Sequence, residues 1–123
     1  MNPTGGTPRP YQFTEAADAD ITRILSDTNK RFGPRQRAYY AWLIDRAAGM
    51  IAETPDRVAS RRRDDLGDGI RSFHLELAAG RRGAASHILY YALGQMDDGT
   101  DGVIIVRVLH EGMDPIRHVT ETT

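Results

Sequence analysis

Residues Ser86 to His118 read SHILYYALGQMDDGTDGVIIVRVLHEGMDPIRH. Two strand-like runs, Ser86 to Gln95 and Val103 to Leu109, flank a turn at Asp97 to Gly102 that is rich in Gly and Asp, the pattern of an antiparallel hairpin. The second run is dominated by Val and Ile and is interrupted only by Arg107. Such a near-continuous apolar run is what a strand covered on both faces needs. An Arg inside it keeps its charge, so Arg107 must find a partner or reach the rim of the sheet. Past this strand the chain becomes a compact polar tail carrying His110, Met113, Asp114 and Arg117.

Upstream, Ile70 to Ala78 alternates Arg71, Phe73, Leu75 and Leu77 against Ser72, His74 and Glu76, which predicts a half-buried strand. A Gly-containing loop, Ala79 to Ala85, links it to Ser86, so three strands in series form an antiparallel meander. Asp56 to Gly69 (DRVASRRRDDLGDG) reads as a charged loop whose acids largely neutralise its Arg run, a solvated face rather than a nucleic-acid contact.

The first half is helical. Tyr11 to Phe13 predicts a short strand, and Thr14 looks like a helix cap, with Glu15 and Asp18 placed to suit the helix dipole. From Glu15 to Phe32, Ala17, Ile21, Ile24, Leu25, Thr28 and Phe32 share one stripe, while Asp18, Thr22, Ser26 and Asn29 face solvent. Gly33 and Pro34 end this helix and open a second, predicted from Arg35 to Thr54, with Gln36, Tyr40, Leu43, Ala47, Met50 and Ile51 inward. A link this short makes the pair an antiparallel hairpin. The expected fold is α+β: an N-terminal strand, then an antiparallel helical hairpin packed on a three- to four-stranded antiparallel sheet. One domain is expected over 11–119. Residues 1–10, with three Pro and two Gly, are expected to be a flexible N-terminal extension, and 120–123 a flexible C-terminus.

Composition narrows the function classes. The chain has 123 residues, a net charge of −1 and no Cys, so a general basic field, disulfides and thiolate chemistry are all set aside. Neither a membrane-spanning run nor a signal pattern is present, and a cytoplasmic location is expected. No phosphate loop, dinucleotide fingerprint, HExxH or GxSxG occurs. His74, His87, His110 and His118 lack ligand-spaced partners, so neither a metal site nor a cofactor is expected. His74 and His87 read as hydrogen-bonded scaffolding.

Two sets of side chains stand out. Tyr39, Trp42 and Arg46, at i, i+3 and i+7, lie beside the inner stripe of the second helix. They either fold over the flank of the core or form a partner surface, since Trp, Tyr and Arg are favoured interface anchors. Arg71, Tyr90, Arg107 and His110 have the residue types of a metal-free ribonuclease, with His as acid or base and Arg against phosphorane charge. Only Arg71 and Arg107 are basic within the strands, too little positive charge for that chemistry, and no catalytic residue is assigned.

The order of elements, with particular residues in each, resembles the ParE toxins of the RelE/ParE superfamily, the toxin halves of bacterial type II toxin–antitoxin modules. The resemblance rests on Tyr11-Gln12-Phe13-Thr14-Glu15-Ala16-Ala17 with Asp20-Ile21, on Phe32-Gly33 with Gln36 and Tyr40, and on Gly69-Ile70-Arg71-Ser72-Phe73. It continues through Ile88-Leu89-Tyr90-Tyr91 and Arg107-Val108-Leu109-His110 with Met113-Asp114, and covers Tyr11 to Val119. It implies a ParD-like antitoxin that wraps the hairpin and sheet, making Tyr39, Trp42, Arg46, Phe73 and Tyr91 candidates to touch it. It also implies DNA gyrase as target, bound rather than cut, and a hetero-oligomer with the antitoxin, without nucleic-acid specificity or membrane association of the toxin's own. Arg107, His110, Met113, Asp114 and Arg117 then either only fix the tail or present it to the target. The runner-up is RelE-like cleavage of mRNA on the ribosome.

Overall fold

The computed structural model describes residues 9–122, with side chains described as far as Val119. The expected N-terminal extension therefore lies outside the described residues over 1–8; Arg9 and Pro10 are bonded to the body, through Arg9 N to Ala52 O and Val103 N to Pro10 O. The elements in chain order are β1 (Tyr11–Phe13), α1 (Glu15–Phe32), α2 (Pro34–Glu53), β2 (Arg61–Arg62), β3 (Arg71–His74), α3 (Leu75–Ala79), β4 (His87–Gln95), β5 (Asp101–His110) and α4 (Pro115–Thr122). Thr14 caps α1 by accepting from Ala17 N, and Gly33, at φ 91, turns the chain into α2 with Pro34 in its first turn.

The sheet has five strands in the order β1-β5-β4-β3-β2. All neighbours are antiparallel except β1 and β5, which run parallel with Tyr11 opposite Val103 and Phe13 opposite Ile105. The fold is α+β as expected, but its sheet is mixed and five-stranded rather than three- to four-stranded and antiparallel. Three residues of β1 carry no signal of strand direction, and β2 consists of two exposed Arg that read as loop. A second correction lies after β3. The strand expected over Ile70 to Ala78 stops at His74, whose Nδ1 accepts from Glu76 N and caps the short helix α3; Gly80, at φ 73, closes it. In sequence Leu75 and Leu77 continue the alternation, but in the structure Leu77 is exposed and Leu75 and Ala78 are buried, the i, i+3 spacing of a helical turn.

A bulge divides β5. Tyr90 pairs with Arg107 but Tyr91 pairs with Ile105, leaving Val106 as the extra residue. Ile105 and Val108, of opposite parity, consequently both join the main core with Ala17, Leu43, Ala47, Ile51, Phe73 and Leu89, on the side of the helical hairpin. Val106 and Leu109 join a second core with Leu66, Ile70, Tyr90 and Val119 on the other face. Both faces of β5 are covered, as its apolar run requires. The cover on the second side comes from the 63–70 loop and from α4, where the sequence suggested only a tail.

The bulge also re-aims the outer edge of β5. Above Phe13, where β1 ends, Thr14 and then Asp20 of α1 continue the pairing in place of a strand. Thr14 N donates to Ile105 O at 3.0 Å and Thr14 Oγ1 to Val106 O at 2.9 Å. Asp20 Oδ2 then accepts from Val108 N at 3.0 Å. An edge that would otherwise invite another strand is closed in this way.

Candidate partner-binding surfaces

Arg107 meets its demand for a partner at this closed edge. Its Nε donates to Asp20 Oδ2 at 2.7 Å and its NH2 to Asp20 Oδ1 at 2.8 Å, a two-pronged pair on a carboxylate only 1% exposed. Arg23 NH2 adds a third charged donor to Asp20 Oδ1 at 2.9 Å. With Val108 N, both oxygens of Asp20 are shared between two donors each, the satisfaction that a buried carboxylate needs. The remaining NH1 of Arg107 donates to His118 O of α4 at 3.1 Å. Asp20 is thus a site residue that reading by function did not select. Its signal was an acid on the buried stripe between Ala17 and Ile24, at i+3 and i+7 spacing.

The C-terminal candidates divide. Asp114 Oδ1 accepts from Ile116 N at 3.0 Å and so caps α4, with Pro115 as the first helical residue. His110 Nδ1 accepts from Gly112 N at 2.9 Å, turning the chain after β5. Met113 and Arg117 are exposed, and so is Ile116, at 52%, which sequence reasoning passed over.

Beside them lies a groove of about 580 Å³, lined among others by Arg31, Phe32, Tyr40, His87, His110 and Met113. Phe32 was expected on the inner stripe of α1 but is 68% exposed, because residues 34–39 opposite it are themselves all exposed and offer no core. At the groove floor the Tyr40 hydroxyl bonds His87 Nδ1 at 2.6 Å, and the His87 ring stands edge-on to His110, 5.4 Å between centroids. Burial, then the neighbouring His110, holds His87 down to about 4, so it is neutral at pH 7. Burial also raises Tyr40. His74 lies against Glu111, Nε2 to Oε1 at 2.7 Å, and this hydrogen bond first of all lowers the Glu111 carboxyl. His74 and His87 thus do act as hydrogen-bonded scaffolding. Among the described residues no three His, Asp or Glu are grouped to hold a metal ion, and no helix is long and apolar enough to cross a membrane.

On α2 the ladder is exposed. Trp42 is 53% exposed, its ring tilted 30° to Tyr39 at 5.8 Å, with the Arg46 guanidinium 5.8 Å from its centroid. Arg46 is braced by donating its Nε to Ala78 O at 3.0 Å. Trp42 stands out from the core instead of folding over its flank. Phe73 and Tyr91, grouped with this ladder as antitoxin contacts, are instead core side chains, each 1% exposed, and the Tyr91 hydroxyl donates to Pro55 O. They sit on the sheet face that the hairpin already covers.

The ribonuclease set is brought together only in part: Tyr90 is the cross-strand partner of Arg107, but the other contacts disperse the set. Arg71 donates through both Nε and NH2 to Ser60 Oγ, Tyr90 is buried beneath the Arg63 guanidinium, and Arg107 is engaged by Asp20 two strands away from Arg71. Burial is the main cause that raises the Tyr90 hydroxyl.

The family model for the ParE toxin of the type II toxin–antitoxin system, parDE, matches residues 11–115. The chain belongs to the ParE toxin family. It is also 30% identical over 111 residues to Toxin ParE1 of Caulobacter vibrioides, an alignment covering 90% of this chain and 98% of that protein. Membership of a two-component toxin–antitoxin family implies an antitoxin partner for this ParE-family chain. The matched span takes in Asp20, the Trp42 ladder and Arg107, and it stops at Pro115, the first residue of α4.

Proposed function

We propose that this ParE-family toxin arrests growth in the cytoplasm by binding DNA gyrase through the Met113, Ile116 and Arg117 face, and that a ParD-like antitoxin neutralises it by docking on the Tyr39–Trp42–Arg46 ladder. The observation that carries the reading is the state of Arg107. The cation best placed to serve phosphodiester chemistry in the strands is held two-pronged by a buried carboxylate. Its charge is spent on holding the fold, while the exposed apolar and aromatic side chains suit protein recognition. Antitoxin over the ladder and groove would form a hetero-oligomer with an interface in the obligate range, roughly 2,000 Å² or more.

Purified toxin should inhibit supercoiling by purified gyrase, and added antitoxin should reverse it. Supercoiling left intact while transcripts in arrested cells are cut at codon boundaries would replace this reading with ribosome-dependent mRNA cleavage.

A further inference from the structure

We infer that Asp20 is a positioning residue for the target-binding face: through Arg107 it sets the seat of α4 and hence the placement of Met113, Ile116 and Arg117. The inference rests on the reading that this face meets the target. α4 has only eight residues, too few to be a stable helix alone. Attachments described above hold its body. Val119 plugs the second core, fixing depth, and His118 O accepts from Arg107 NH1 at 3.1 Å, fixing rotation about that plug. A guanidinium has a planar fork of donors, so the direction of NH1 is dictated by where Nε and NH2 are clamped. Asp20 clamps both, at 2.7 and 2.8 Å. Asp20 in turn is fixed by the body of α1 and by Val108 N, so a residue in the first half of the chain orients the last element. Among the described residues, Arg107 links Asp20 to α4.

Asp20→Asn leaves the Arg107 charge poorly matched and threatens the fold, so the decisive variant is Arg107→Lys. Its single ammonium can stay on Asp20 but cannot also reach His118 O. In the full-length toxin, amide hydrogen exchange over residues 119–122 should rise about tenfold or more, the loss of one charged hydrogen bond, while exchange in β4 and β5 stays as in the parent. The concentration needed for half-inhibition of gyrase should rise by a similar factor, about tenfold, with antitoxin affinity unchanged. Exchange that rises equally in the sheet and α4 would mean a purely structural role and overturn the inference. So would selective loosening of α4 with undiminished inhibition. If the parent toxin itself leaves gyrase untouched, the target reading fails, and the exchange pattern alone decides whether Asp20 seats α4.

Discussion

A side chain's environment decides what it can be used for, and Trp42 and Tyr91 are the opposed cases. Both are aromatics of the kind that anchor interfaces, yet Trp42 projects 53% exposed with Tyr39 and Arg46 stacked along it, and Tyr91 is sealed in the core. Trp42→Ala should leave the fold intact and weaken antitoxin binding by at least 2 kcal/mol, the scale of an interface hot spot. Calorimetry giving the parent affinity would remove the ladder from the interface. The stripe carrying Trp42 was legible as set beside the core stripe, but whether its ring folds over the core or stands out was not. The burial of Phe73 and Tyr91 was not, because alternation shows that one face of a strand is covered without saying whether by the same chain or another. Arg107 was legible as a demand for a partner, and Asp20 as an acid on an apolar stripe. Joining them needed the fold, since 87 residues separate the two.

At the scale of elements, the long helices and the β4–β5 hairpin followed from periodicity, and the short pieces did not. α3 hid in a run of Leu and Glu that fits either period, and α4 hid because Val119 is the one buried side chain among its described residues. The bulge at Val106 escaped for a different reason. A run of Val, Ile and Leu is apolar on every phase, so nothing in its pattern marks where one residue is extra. The cap of α4 offers a test. Asp114→Ala removes the acceptor for Ile116 N and should cost about 1 kcal/mol, a roughly fivefold rise in amide exchange within α4. Unaltered exchange would mean that the Val119 plug and the Arg107 contact hold the helix without the cap. The same substitution separates the ways Asp114 could matter to gyrase, since a loss of inhibition without any change in α4 would make it a direct contact.

For the molecule as a whole, His87 and Glu111, set in the cluster at one end of the sheet, make stability depend on pH. His87 is held down to about 4 in the folded state and returns to its ordinary value near 6.5 when the chain unfolds. Between those values the unfolded chain binds the extra proton, so stability rises with pH through this window and is fully present above it. Glu111 adds a loss below its ordinary range, because its lowered carboxyl favours the ionised folded form. Urea midpoints should therefore fall between pH 6.5 and 4, and His87→Gln should flatten that slope relative to the parent. An NMR titration in which the His87 ring protonates near 6.5 would contradict the burial assigned to it.

The parallel pairing of Tyr11 with Val103 has a consequence in time. A nascent chain that has exposed β1 and both long helices still lacks the strand that β1 must lie against, and the slot stays empty until the final hairpin leaves the ribosome. Contacts between such distant positions also form slowly. Docking of β1 therefore waits until residues 101–110 have been made, and the core between sheet and helical hairpin closes only then.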